Sequence, residues 1–191
     1  PNAPFTWRVS IEVAKAWESE LAAAKTPHTR KVAMRSAMTM SPERGSVFGV
    51  LSRLVRFGLG GRAGSGRQFV SWIHEADFVR SLDWLIRNES LEGPVNLASS
   101  NPLTYSEFMA ALRKAWRVPF GLPAPAWLLE IGTAILRTES ELVLKSRRVV
   151  PGRLLDAGFE FSFPHWEAAA VDLVTRMRSG SIVPSVAPVV S

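Results

Sequence analysis

The chain has 191 residues, 47% hydrophobic and 21% charged, which fits one ordinary domain, or one and a half, around a packed core. It holds no cysteine and no apolar run near the ~20 residues of a membrane-spanning helix, so a disulfide scaffold, thiolate chemistry and an integral membrane protein are not expected, and a reducing, cytoplasmic setting is. The net charge is +6, yet nine basic residues between Lys25 and Arg67 face Glu43 alone, a surplus of eight that leaves the rest slightly acidic.

Pro1-Asn2-Ala3-Pro4 has neither an initiator Met nor a secretory pattern, so the chain is expected to start in mid-sequence. Val9, Val13, Ala16, Trp17 and Leu21 recur near a 3.6 period, which predicts a helix from Val9 to Ala24. Lys31 to Met40 alternates apolar with small or charged residues until Ser41-Pro42, and predicts a strand. Ser46 to Phe57 returns to helical spacing, followed by a glycine-rich loop from Gly58 to Gly66. Gln68 to Ile73 predicts a second strand, His74 to Arg87 a helix, and Val95 to Ala98 a third strand after Gly93-Pro94.

Thr104 and Glu107 form a capping box at the head of a helix that reaches Trp116. Helices are predicted over Ala126 to Leu136 and in a turn at Ser140 to Leu144, and Gly152 to Ala157 is a short one capped by Gly158. Phe159-Glu160-Phe161 alternates like a strand, and a last helix runs from His165 to Met177. The tail from Ser179 to Ser191 is uncharged and aperiodic, so a flexible end is expected. Strands alternating with helices predict an α/β class with parallel pairing, in a thin sheet that leaves an edge for another chain or domain.

Gly58-x-Gly60-x-x-Ala63 matches a dinucleotide fingerprint as text, but it leaves a helix and enters a strand, the reverse of what the fingerprint needs. An arginine-flanked mobile loop beside a ligand and a plain surface loop both stay open. Ser71, His74 and Asp77 have the residue types of a catalytic trio, yet Asp77 opens a helix, where an acid accepts first-turn amides. His74 stays a candidate ligand contact because it ends a strand. Three scattered histidines and no cysteine give no metal-ligand cluster. Tyr105, the sole tyrosine, is followed four places on by Met109, so a Tyr-x-x-x-Lys pair is absent. Arg35 interrupts an apolar strand and is either an ion-pair partner or a ligand contact. The basic window suits nucleic acid or phosphate on a small ligand, and its single spacing without interleaved aromatics argues against nucleic acid.

A longer series carries a family resemblance: Trp17-Glu18, Arg35-Ser36-Ala37-Met38, Arg56-Phe57-Gly58-Leu59-Gly60-Gly61, Gly64-Ser65-Gly66-Arg67-Gln68, Trp72-Ile73-His74, Gly93-Pro94-Val95-Asn96 and Arg147-Arg148-Val149-Val150-Pro151. In order and spacing, with Leu154, Gly158 and Phe159, it resembles the C-terminal part of the atypical extended short-chain dehydrogenases/reductases of the NAD(P)-dependent nucleoside-diphosphate-sugar epimerase type. The resemblance implies an incomplete Rossmann-like parallel sheet over residues 1–118, a mostly helical C-terminal substrate-side domain over 119–178, and a tail over 179–191. It places Arg35, Ser36, Ala37 and Met38 beside the nicotinamide of NAD or NADP, and Arg67, Gln68, Trp72 and His74 along the substrate cleft. The basic residues from Arg53 to Arg67 would meet the diphosphate of a nucleotide-sugar-like substrate. Where the superfamily has its catalytic Tyr and Lys, Val9 and Val13 stand, and neither moves a proton. The expectations are therefore a chain without turnover alone, no tight cofactor binding, and either a separate N-terminal half or self-association at the open edge.

Overall fold

The computed structural model describes residues 5–123, 146 and 148–181. Helix α1 spans Phe5–Ala23, and strands β1 (Val32–Ser36) and β2 (Met38–Met40) follow. Next come α2 (Val47–Arg56), β3 (Phe69–Val70), β4 (Trp72–His74), α3 (Glu75–Arg87), β5 (Gly93–Leu97), β6 (Leu103–Thr104) and α4 (Tyr105–Trp116). The two helices after the undescribed stretch are α5 (Gly152–Asp156) and α6 (Trp166–Ser179). The helices predicted over 126–136 and 140–144, and most of the tail, lie outside the described residues.

The strand predicted over Lys31 to Met40 exists but breaks at Ala37, where the chain changes partner. β1 pairs in parallel with β5 from Val32 opposite Gly93 to Ser36 opposite Leu97, whereas β2 pairs in parallel with β4. The Ala37 amide still bonds to Leu97 O (2.9 Å), and the next amide, of Met38, bonds to Ser71 O (3.3 Å). The second predicted strand divides in the same way at Ser71, because β3 turns to pair antiparallel with β6, an element that the sequence reading missed. Phe159 to Phe161 forms no strand. Its alternation comes from two rings that meet edge to face at 4.9 Å, with Phe159 buried against Trp84.

Side chains on β4 alternate between two cores, as the period of two requires. Trp72 points into a cluster with Phe48, Phe108 and Trp166, while Ile73 joins Leu85, Val95, Leu97, Leu154 and Phe159. Trp166 of α6 organises the first cluster: its ring stacks on Phe108 at 4.0 Å and meets the edge of Trp72 at 4.9 Å. Its indole donates to Phe108 O at 2.8 Å, so the buried polar atom is satisfied. Helix starts follow local chemistry. Ser46 Oγ accepts from the Gly49 amide ahead of α2, and Thr104 and Glu107 close the expected capping box on α4.

Helix α1 stands apart from these cores. Val9, Ile11, Val13 and Trp17 are exposed on it, Trp17 by 74%, and Met34 on β1 is 51% exposed. Among the described residues β1 is paired along one edge only.

Candidate active-site cleft

The partner change at Ala37 opens a crevice at the C-terminal ends of β1 and β5. Open parallel sheets bind ligands in such crevices, where neighbouring strands diverge. The cavity measures about 680 Å³ and is lined by Arg35, Ser36, Ala37 and Met38, with Phe69 to Ser71 and Asn96 beside them. That volume lies within the usual range of small-molecule sites. Arg148, Val149 and Val150 also line it, and hydrogen bonds hold Ser146, Val149 and Val150 to the strands. The Phe69 amide donates to Ser146 Oγ (3.1 Å), the Val149 amide to Ser71 Oγ (2.9 Å), and Asn96 Nδ2 to Val150 O (3.3 Å). Arg148 lies over the Phe69 ring at 5.2 Å, bringing a second guanidinium to a cleft that already holds Arg35.

Arg35 forms the ion pair that the sequence left open as one of two roles. Its Nε and Nη2 each donate to Glu18 at 2.6 Å, a two-pronged fork that ties α1 to β1. The hydrogen bond from Arg35 holds the Glu18 carboxyl below its usual range. Ser36 Oγ donates to Ala37 O at 2.8 Å and lies 3.4 Å from Thr39 Oγ1.

The residues expected along the substrate side fall elsewhere. Trp72 is core. His74 is fully buried, stacked on Phe163 at 3.9 Å, with Nε2 3.1 Å from Asp172 Oδ2 and Nδ1 accepting from the Ala76 amide. Both ring nitrogens are thus committed to structure, and loss of hydration pushes the ring's pKa below its ordinary value. Gln68 donates to Ala63 O (2.8 Å), and Arg67 is exposed on the glycine loop. Asp77 accepts no first-turn amide of the expected kind. Its two oxygens take the amides of Ser162 and Phe163, each at 2.8 Å, and the Arg80 guanidinium at 3.0 Å. Tyr105 is buried, which pushes its phenol up to about 12 and keeps it protonated near neutrality.

The first part of the glycine loop, Gly58 to Gly61, is a packed joint, while Arg62, Gly64 and Ser65 beyond it are exposed. Gly61 donates to Leu122 O (3.0 Å) and Leu122 to Gly58 O (2.7 Å), and a Cβ on Gly61 would lie 2.5 Å from Gly121 O. Gly58 adopts φ +75°, a conformation that favours glycine. Arg53 and Arg56, expected at a diphosphate, do not line the cleft. They leave the opposite face of α2 from Val47, which does. The guanidinium that sequence reasoning did not assign is Arg148, whose only signal was its place in the Arg147 to Pro151 motif.

Comparison with known proteins bears on this geometry. Residues 124–173 match a family described as a domain of unknown function, DUF1731. The chain is 35% identical over 161 residues to the mouse epimerase family protein SDR39U1, covering 83% of this chain and 53% of the mouse protein. It is 36% identical over 148 residues to the epimerase family protein ML0860 of Mycobacterium leprae, covering 76% of this chain and 46% of that protein. The crystal structure of human epimerase family protein SDR39U1 (isoform 2) with NADPH superposes with TM-score 0.74 at 28% identity, over 86% of this chain and 54% of the human one. The chain belongs to the epimerase family of extended short-chain dehydrogenases/reductases. It spans about half the length of the epimerase family relatives that it matches. A nucleoside-diphosphate sugar epimerase from Corynebacterium glutamicum, 22% identical with TM-score 0.64 over 91% of this chain and 31% of its own, shares the fold. As an epimerase family chain, it is of the α/β class with parallel pairing that its sequence predicts. Among the described residues, no group of His, Cys, Asp or Glu is placed to hold a metal, and no helix is long and apolar enough to cross a membrane.

Proposed function

We propose that this chain supplies the substrate-side half of an NAD(P)-dependent nucleotide-sugar epimerase-like enzyme and is inactive alone. The observation that carries the reading is the crevice at Ala37, where Arg35 to Met38 meet Arg148 across a cavity of about 680 Å³. The residues fit one end of a dinucleotide only. Ser36, Ala37 and Met38 suit the nicotinamide end, because a small side chain and a strand-end backbone let a planar ring approach. The pyrophosphate needs a glycine turn at a helix N-terminus, and the glycine loop here follows the C-terminus of α2. Arg148 and Arg35 suit the phosphates of a nucleotide sugar, since guanidinium forks match phosphate oxygens.

Fluorescence titration of NADPH into the chain, with assay for epimerase and reductase turnover, tests the inactive half. Weak, unsaturated binding and no turnover are expected, and saturable micromolar binding refutes it. Calorimetric titration of UDP-sugars into the chain, with Arg148→Ala and Arg67→Ala beside it, tests the substrate side. An affinity unchanged by Arg148→Ala removes the cleft assignment.

A second reading rests on α1 and β1. An apolar helix face beside a strand edge that is unpaired among the described residues is the kind of surface a partner covers. In this reading the chain pairs with a separate Rossmann half or with its own copy. Light scattering at several concentrations tests it, and a monomer throughout, with β1 amides protected from hydrogen exchange, rules out self-association.

A further inference from the structure

Behind the cleft, on the other face of α2, is a second cavity of about 680 Å³ to which the proposed epimerase chemistry gives no role. Gly49, Ser52, Arg53 and Arg56 face it at helical spacing, Arg44 stands at its rim, and Met177 of α6 contributes apolar surface. Arg56 and Met177 also line the adjoining groove with Trp116 and Arg178.

Basic residues in the last turn of a helix complement its dipole, and that accounts for part of this charge: Arg53 and Arg56 end α2, and Arg178 ends α6. Three observations exceed that account. Arg44 precedes the N-cap of α2, where the dipole disfavours a cation. Arg56 and Arg178 lie over the same Trp116 ring, at 5.3 and 5.0 Å, which sets two like charges on one indole. The third is Ser52. Its side chain lines the cavity and is 1% exposed, yet its hydroxyl has no hydrogen-bond partner among the described residues. A helical serine commonly bonds back to the carbonyl four residues earlier, and this one leaves its donor and acceptor unused. The acids beside the cavity do not balance the arginines, because Glu75 is engaged by Arg176 at 2.5 Å and only Glu43 remains.

We propose that this cavity binds a small phosphate-bearing anion. Arg53 and Arg56 offer guanidinium donors from one wall, Arg44 offers a third from the rim, and Ser52 Oγ–H supplies a neutral donor at depth. Charge-assisted bonds of this kind are the strong class, and a buried donor gains its missing partner when the anion enters. The assignment stands apart from the sugar-nucleotide reading of the Ala37 cleft.

Calorimetric titration of the 191-residue chain in low-salt chloride buffer tests it, with inorganic pyrophosphate in one arm and glycerol 3-phosphate in the other. The arms separate free inorganic phosphate groups from phosphate esters, and saturable one-site binding of either supports the site. Arg53→Ala is expected to weaken binding about tenfold or more and Ser52→Ala severalfold. Arg87→Ala, which removes an equal charge from the distant end of α3, is expected to leave it unchanged. Circular dichroism melts of each variant confirm folding. Ser52→Ala removes only an unpartnered hydroxyl, so its ligand-free melting point should hold even if an arginine variant unfolds. Absence of saturable binding in both arms overturns the proposal. So does equal weakening by Arg87→Ala, and so does retardation of duplex DNA that depends on Arg53 while both small anions stay silent.

Discussion

His74 offers a test that links the buried polar network to pH. Its Nδ1 accepts the Ala76 amide, so the ring proton sits on Nε2 and is donated toward Asp172. Protonating the ring would set a second N–H against the Ala76 amide, at a fully buried position. The carboxylates of Asp172, Asp77 and Glu75 favour the charged ring, but loss of hydration outweighs them and the folded pKa lies below the ordinary 6.5. The unfolded chain therefore takes up a proton near pH 6.5 that the folded chain refuses. The stability this gives is complete above pH 6.5 and is lost as pH falls from there toward the lowered folded value. One proton sets the limiting slope at about 1.4 kcal/mol per pH unit. Urea unfolding followed by tryptophan fluorescence at pH 7.5, 6.5 and 5.5 measures it. The wild type should lose up to about 1.4 kcal/mol between pH 6.5 and 5.5, and His74→Gln, less stable at every pH, should lose clearly less over the same interval. A variant that keeps the wild-type slope would show that another group titrates there, and the reasoning from His74 would fail.

Three further outcomes follow from named contacts. Asp77→Asn sets an amide group against the N–H of Ser162 or Phe163 at a buried site, and should cost about 2–3 kcal/mol in urea unfolding; a loss under ~0.5 would refute the anchoring role. Gly61→Ala drives a methyl into the backbone at Gly121 and Leu122, so a loss of about 1–3 kcal/mol and a lower Tm are expected, and an unchanged Tm would contradict the packed-joint account. Trp166→Ala should cost about 3–5 kcal/mol, whereas Trp17→Ala, 74% exposed in this chain, should stay within ~0.5; comparable losses would mean that α1 is covered in solution.

The elements that could be read from the sequence were those whose causes are local. The α4 capping box needs only Thr104 and Glu107, and α2 needs its apolar stripe and Ser46. The breaks at Ala37 and Ser71 have no such signal, because each marks the residue at which a strand exchanges one neighbour for another. Phe159 to Phe161 misled for a related reason. Period-two burial follows from two rings sharing a core as readily as from a ladder, and without a neighbouring strand there is no ladder. Asp77 is a sharper case. An acid in the first turn of a helix reads as dipole chemistry, but the amides it serves belong to residues 162 and 163, beyond any local pattern.

The site divides along the same line. The family resemblance, not any local pattern, singles out Arg35 to Met38, and in the structure these four residues line a crevice at a strand end. Burial decides the rest, and burial is a property of the whole fold. Trp72 and His74 stand one strand away from the crevice with the right chemistry, but β4 turns both inward. Arg53 and Arg56 have the right charge, but helical geometry turns them about half a revolution from Val47 and so from the cleft. Arg35 shows why the two roles left open for it are compatible. The fork to Glu18 uses Nε and one N–H of Nη2, so the Nη1 donors stay free of that pair while the side chain lines the cavity. One residue thereby joins α1, whose apolar face has no cover among the described residues, to the crevice in which the ligand chemistry is expected. Whatever packs on α1 bears on Glu18, and through Glu18 on the direction in which Arg35 presents its remaining donors.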